Sequence, residues 1–230
     1  MDRRTVRIGT RGSALAIAQT GEVVSALRKA WPEAVFEVVR ITPVGDRRKS
    51  APLLSLGRGA FAKGVEEWLL DGRIDMAVHS AKDMPTTLPE GLVIAAYPKR
   101  KDARDLLVNS LNVGLSELQA GARLGTSSPR RSGQLLAARP DIEIVPIRGN
   151  VDTRLSRVSG DDLDGVALAA AGLERLGRIG EATEILDPEL CVPDAGQGAL
   201  AVETRAGDGR MREMAGAVNH ASTWAAVTAE

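Results

Sequence analysis

Residues 123–131 read Arg123-Leu124-Gly125-Thr126-Ser127-Ser128-Pro129-Arg130-Arg131. A short β-type run ends at Gly125, small hydroxyl residues follow, and Pro129 sits where a helix admits proline, at its first position. The helix then runs over Pro129 to Ala138. The same order of signals occurs earlier: a strand over Thr5 to Gly9, the turn Gly9-Thr10-Arg11-Gly12-Ser13, and a helix over Ser13 to Ala30 with Ser13 as N-cap. Working outward, strands are read at 35–41, 74–78, 92–97, 142–147, 165–168 and 199–204. Helices are read at 60–70, 151–158, 169–176 and after the last strand. The charged, aperiodic stretch Pro98 to Arg104 and the Pro/Gly-rich stretch Asp187 to Gly198 interrupt the pattern. Alternating β and α units predict an α/β protein of two domains, with mainly parallel sheets flanked by helices and a cleft between them.

The 230 residues, 43% of them apolar, suffice for one large or two smaller cores. Thirty basic and 30 acidic residues balance, which argues against a nucleic-acid binder. The first residues lack the apolar core of a secretory signal, and the longest apolar run, around Val166 to Leu173, is too short to span a bilayer. One cysteine, Cys191, cannot build an internal disulfide and fits a reducing compartment. We therefore expect a cytoplasmic protein with no membrane or nucleic-acid partner. Arg outnumbers Lys 24 to six. Genome composition explains part of that excess; recognition of carboxylates or phosphates, which guanidinium grips bidentately, explains it differently.

Position separates these readings. Open α/β sheets bind ligands at the carboxyl ends of their strands. Arg11, Arg130, Arg131, Arg148, Arg154 and Arg175 all fall at strand-to-helix exits, and so do Lys82 and Asp83 in Val78-His79-Ser80-Ala81-Lys82-Asp83. Taken singly, each turn reads equally as a plain cap with a surface charge. Together they predict a site lined with guanidinium groups around one carboxylate, suited to a ligand bearing many carboxylates. His79, inside an apolar strand, reads as a packed, hydrogen-bonded residue. The sequence holds no phosphate loop ending in Gly-Lys-Ser/Thr, no Gly-x-Ser-x-Gly elbow and no clustered metal ligands, so no metal is expected.

These segments resemble the signatures of the porphobilinogen deaminase (hydroxymethylbilane synthase) family. The resemblance rests on residues 9–16, 78–83, 125–131, 148–155 and 195–199, and on Asn219-His220-x-x-Thr223 followed by Val227-Thr228-Ala229-Glu230. It covers the chain in order. It implies two domains resembling type II periplasmic binding proteins: residues 1–98 with 199–216, and residues 104–192. Residues 217–230 would begin a third domain, truncated or missing here. It implies a monomeric transferase of heme and tetrapyrrole biosynthesis that condenses four porphobilinogens into hydroxymethylbilane, releasing ammonia each time, on a dipyrromethane cofactor.

By the same resemblance Asp83 is the catalytic carboxylate, stabilising the cationic azafulvene formed when ammonia leaves, with Lys82 beside it. Arg11, Arg130, Arg131, Arg148, Arg154 and Arg175 bind acetate and propionate groups. Ser13, Ser80, Thr126, Ser127, Ser128, Gly149, Asn150 and Gln197 add contacts. Phe61 matches an active-site loop aromatic and reads equally well as a helix core residue. The family's cysteine in a Gly-Gly-Cys loop, which anchors the cofactor by a thioether, has no match in this sequence. Cys191 reads as a packed residue, so the dipyrromethane is expected to be non-covalent or missing. The alternative function is a turnover-deficient module, a remnant or fragment, that binds pyrroles or polycarboxylates.

Overall fold

The structure is a computed structural model that describes residues 5–41, 62–159 and 162–230. The chain divides into two compact units: residues 1–100 with 199–230, and residues 101–198.

Unit 1 is built on a five-stranded sheet of order β2-β1-β3-β10-β4. Its strands are β1 (Val6–Arg11), β2 (Phe36–Ile41), β3 (Met76–Ser80), β4 (Leu92–Ala96) and β10 (Leu200–Arg205). β1 pairs in parallel with β2 and β3, whereas β10 runs antiparallel to both β3 and β4. Four strands therefore point one way and β10 alone opposes them. Val6, Ile8, Met76, Val78 and Val202 pack with α1 (Ala14–Ala30) and α6 (Gly209–Gly216). Ile41, Ile74, Ala77 and Leu92 form a second core cluster with Val65 and Leu69 of α2 (Lys63–Leu70). Alternation along β3 sends Val78 to one cluster and Ala77 to the other, as a strand period of two requires. A short helix α7 (Ala221–Ala229) closes the unit, with Trp224 edge-on to Tyr97 at 5.2 Å.

Unit 2 repeats the plan. Its sheet has the order β7-β6-β8-β5-β9, from β5 (Asp105–Asn109), β6 (Arg123–Gly125), β7 (Glu143–Val145), β8 (Gly165–Ala169) and β9 (Glu184–Ile185). β6 pairs in parallel with β7 and β8, and β5 runs antiparallel to β8 and β9. Leu106, Val108, Val166 and Leu168 pack with Leu155, Val158 and Leu173, which lie on α4 (Val151–Ser159) and α5 (Ala170–Arg175). Leu107, Leu124 and Ala167 pack with Leu135 of α3 (Pro129–Ala138) and with Cys191. Burying each such leucine contributes about 1.5–3 kcal/mol.

The sequence pattern placed most of these elements within a few residues. It missed β5 and β9. It also did not show that each sheet holds one antiparallel strand, β10 or β5, entered directly from a crossover of the chain. The helix expected from residue 60 is described from Lys63 onward; residues 60 and 61 lie outside the described residues.

Candidate active site

In unit 1 the candidate residues gather at the carboxyl edge of β1 and β3. Gly9 is packed so closely that a Cβ would meet Ile74 Cδ1 at 2.3 Å, which brings the sheet tight against α2. Thr10 is buried and its hydroxyl donates to the Ala16 carbonyl at 3.2 Å. Ser13 is the N-cap of α1: its Oγ accepts from the Ala16 N–H at 3.2 Å. The hydroxyls of this turn thus build the start of the helix, and Arg11 stands half-buried at the end of β1. β3 ends at Ser80, and a single helical turn over Ala81–Asp83 follows at once. The Ala81 N–H donates to the Ala199 carbonyl at 3.0 Å, pinning that turn to the strand that returns from unit 2. Lys82 and Asp83 are both half-buried. Asp83 makes no hydrogen bond or ion pair among the described residues, so its carboxylate is available to a ligand. Phe61 lies outside the described residues.

Behind this turn, His79 and Glu203 form a buried pair at 3.1 Å. The packed, hydrogen-bonded role expected of His79 is what the structure shows. Glu66 of α2 is buried nearby; burial and the Glu203 charge raise its carboxyl above the usual range. Neither glutamate stood out in the sequence.

In unit 2 the second edge lies at the ends of β6, β7 and β8. Thr126 is buried and accepts from the Ser128 N–H at 3.2 Å. Ser127 Oγ donates to the Ile147 carbonyl at 2.6 Å and accepts from the Ile147 N–H at 2.9 Å, clasping two strand ends together. Ser128 caps α3, with Pro129 at its first position. These three hydroxyls, expected as ligand contacts, are engaged in shaping the turn. Gly149 has φ +106°, a conformation that L side chains rarely adopt, and Asn150 Oδ1 accepts from the Thr153 N–H at 2.8 Å at the start of α4. Arg148 precedes them, exposed.

The arginines divide by environment. Arg131 is 6% exposed. Its Nε and Nη2 donate to Asp105 Oδ1 at 3.0 and 2.7 Å, and its Nη1 to the Ala167 carbonyl at 3.2 Å. Arg130 Nη1 lies 2.6 Å from Asp105 Oδ2 and donates to the Val192 carbonyl at 2.5 Å. Gln197, fully buried, donates to the Ala103 carbonyl at 2.6 Å and to Asp105 Oδ1 at 2.8 Å. Arg175 Nη2 donates to the Gly198 carbonyl at 3.0 Å. Arg154 differs. Its Nε donates to the Gly149 carbonyl at 3.0 Å, and no carboxylate is recorded against it. Burial, with the neighbouring Arg131 charge, lowers its pKa. A half-buried guanidinium beside a like charge, bonded to a backbone carbonyl, is suited to an anion supplied from outside.

Asp105 is the residue that sequence reasoning overlooked. Burial alone would raise its carboxyl, but the Arg131 charge and hydrogen bonds from Arg130, Arg131 and Gln197 outweigh that and hold it at about 2. Cys191 also donates to it, Sγ to Oδ2, at 3.4 Å. The thiol is fully buried and pushed up by burial and by Asp105. Among the described residues no group of three or more His, Cys, Asp or Glu is arranged to hold a metal ion.

The porphobilinogen deaminase model, described as the dipyromethane cofactor binding domain, matches residues 6–213. That span contains both edges. The chain belongs to the porphobilinogen deaminase family. Among porphobilinogen deaminases, that of Trichlorobacter lovleyi is 48% identical over all of this chain and 74% of its own length. That of Bacillus subtilis is 50% identical over 89% of this chain and 66% of its own length. That of Mycolicibacterium paratuberculosis is 50% identical over 98% and 70%. Solved structures with the same fold include a putative methionine-binding lipoprotein from Bacillus subtilis, at TM-score 0.57 and 10% identity over 97% of this chain and 93% of that one. The methionine binding protein MetQ aligns at TM-score 0.55 and 13% identity over 99% and 94%. These likenesses establish the type II periplasmic-binding-protein fold for this deaminase-family chain. They carry no ligand over to it.

Proposed function

We propose that this chain acts as a hydroxymethylbilane synthase, joining four porphobilinogens stepwise with loss of ammonia at each addition. The observation that carries the reading is Arg154: a half-buried guanidinium whose Nε is held by the Gly149 carbonyl, with its pKa lowered in part by the neighbouring Arg131 and with Arg148 a few residues away, at strand exits where ligands of this fold class bind. Acetate and propionate groups supply the anions such an edge lacks. A dipyrromethane cofactor, which carries several of them, fits it on the same ground. When bound, the dipyrromethane supplies the pyrrole carbon to which the first substrate is joined.

Arg154, Arg130 and Arg148 hold ligand carboxylates here, with Arg131 as their buried base. Arg11, Ser80 and Lys82 serve the unit 1 edge. Asp83, half-buried and uncommitted, accepts from a pyrrole N–H and offsets the positive charge that appears on the incoming substrate as ammonia departs. Joining a carbon–carbon bond at a pyrrole carbon would release that carbon's proton, and Asp83 is the carboxylate of this chain that would take it up. Cys191 is not a covalent anchor: it is buried, and its thiol is held protonated by burial and by Asp105. The contacts these residues offer the cofactor are ion pairs and hydrogen bonds. With a small soluble substrate, and no helix among the described residues long and apolar enough to cross a membrane, we place the protein in the cytoplasm as a monomer.

The test is bilane production from porphobilinogen, followed as uroporphyrin after acid and oxidation. Asp83→Ala is expected to lower kcat by about 10²–10³-fold, the scale of losing one preorganised electrostatic partner, while polycarboxylate binding persists. Turnover unchanged in Asp83→Ala removes Asp83 from the chemistry. Binding without turnover in the wild-type chain favours the binding-module alternative.

A further inference from the structure

We propose that Asp105 is a positioning residue: one buried carboxylate that sets the aim of Arg130 and Arg131 and locks Gln197 to the first crossover. The inference rests on the reading of the unit 2 edge as an anion receptor and adds a residue to it.

Asp105 is the first residue of β5 and is fully buried. Its two oxygens meet three segments far apart in sequence. Oδ1 accepts from Arg131 Nε and Nη2, in the first turn of α3, and from Gln197 Nε2, ahead of β10. Oδ2 meets Arg130 Nη1 and the Cys191 thiol. Gln197 in turn grips the Ala103 carbonyl, two residues before Asp105. The neighbouring Gly198 packs so tightly on this segment that a Cβ would meet the Lys101 carbonyl oxygen at 2.6 Å. Two adjacent arginines on one helix turn would otherwise repel and splay. Held by opposite oxygens of one carboxylate, each keeps a fixed rotamer. Arg131 spends its donors on Asp105, Ala167 and Gln197. Arg130 meets Asp105, Val192 and the Cys191 sulfur through Nη1 alone, and its Nε is buried without a hydrogen-bond partner.

Charge and geometry predict opposite signs here, which makes the inference testable. Asp105 is a negative charge inside an anion site, so by Coulomb's law its removal tightens anion binding. If instead it positions the arginines, its removal weakens binding, because the donors lose their preorganised aim. The probe is benzene-1,3,5-tricarboxylate, which is not consumed, titrated calorimetrically into the full chain. Asp105→Asn is measured at a temperature where circular dichroism shows it folded. The expected result is an affinity at least tenfold weaker than wild type. Equal or tighter binding overturns the positioning role while leaving the anion receptor standing. No binding by wild type overturns the receptor reading and this inference with it. A second measurement needs no variant: the side-chain Nε–H resonance of Arg131 in wild type, with and without probe. Its slow exchange is expected to persist when the probe binds. Release of Asp105 on binding, seen as loss of that protection, makes Asp105 a competitor of the ligand and sinks the proposal.

Discussion

At the scale of single residues, the most informative side chain is one the sequence conceals. Asp105 closes the charged run Lys101-Asp102-Ala103-Arg104-Asp105, and an acidic residue there reads as solvated linker. Its burial depends on partners 25, 26 and 92 residues away, and no local periodicity reports them. The available signal was the apolar run Leu106-Leu107-Val108 directly after it, a buried strand too short to stand out. Arg130 and Arg131 stood out in the sequence as site candidates, because both follow a strand exit. Their division of labour was not legible, since it hangs on Asp105. The same carboxylate predicts a pH effect. Its folded pKa of about 2 lies below the ordinary 3.8, so its ionised form stabilises the fold above about pH 4. That contribution fades as pH falls through 4 toward 2, by about 2 kcal/mol in all. Chemical denaturation of wild type and Asp105→Asn across pH 2–6 checks it. Wild type should lose about 2 kcal/mol more than the variant over that window; parallel curves would remove Asp105 from the acid response. At neutral pH the variant leaves two guanidinium groups without their carboxylate, and should be less stable by about 3–5 kcal/mol.

At the scale of elements, the two strand-exit turns show why motif and structure agree so closely. Gly9-Thr10 and Gly125-Thr126 occupy equivalent places, at the ends of β1 and β6, each the second strand in its sheet. Each glycine lies where a Cβ would press on aliphatic side chains of its own unit, within 2.3 Å for Gly9 and 2.6 Å for Gly125. Each threonine is buried, and a serine two or three positions on caps the helix. The sequence therefore spelled out these turns, because local backbone demands fixed their residue types. It did not spell out that the hydroxyls were spent on the backbone. Ser127 joins strand ends 20 residues apart, a contact that only the parallel pairing of β6 and β7 creates. Ser127→Ala is expected to cost about 1–3 kcal/mol, because it strands the Ile147 N–H and carbonyl together. If Ser127 served only a ligand, thermal unfolding without ligand would be unchanged. Gly198→Ala tests the crossover in the same way. At φ +85° and 2.6 Å from the Lys101 carbonyl oxygen, a methyl group is excluded both by conformation and by space. A loss of about 1–3 kcal/mol is expected, read as a Tm lower by several degrees.

At the scale of the molecule, the alternation of strands and helices announced the α/β class. The interior, antiparallel placement of β10 and β5 stayed hidden, since a strand's direction in its sheet depends on where the chain returns and not on its composition. Both antiparallel strands follow a crossover, and in each unit that strand carries a buried carboxylate paired within its own unit: Asp105 on β5 with Arg130 and Arg131, and Glu203 on β10 with His79. Net charge also behaves differently at this scale. Thirty basic and 30 acidic residues cancel, yet among the described residues the carboxylate that ion-pairs with Arg130 and Arg131 is Asp105, and Arg154 makes its hydrogen bond to a backbone carbonyl. Local field, not total charge, should then govern ligand capture. Salt distinguishes the two kinds of ion pair. The Debye length falls from about 10 Å at 0.1 M to about 3 Å at 1 M, which screens exposed charges strongly and buried pairs far less. Raising sodium chloride from 0.1 to 1 M is therefore expected to weaken tricarboxylate affinity roughly tenfold, about 1.4 kcal/mol, while the Tm of the unliganded chain moves little. Calorimetric titration and thermal unfolding in the same salt series read both. Affinity that ignores salt would mean the probe is held by buried or neutral donors and not by Arg154. A Tm that falls in step with affinity would mean the Asp105 network itself is open to solvent, which its burial forbids.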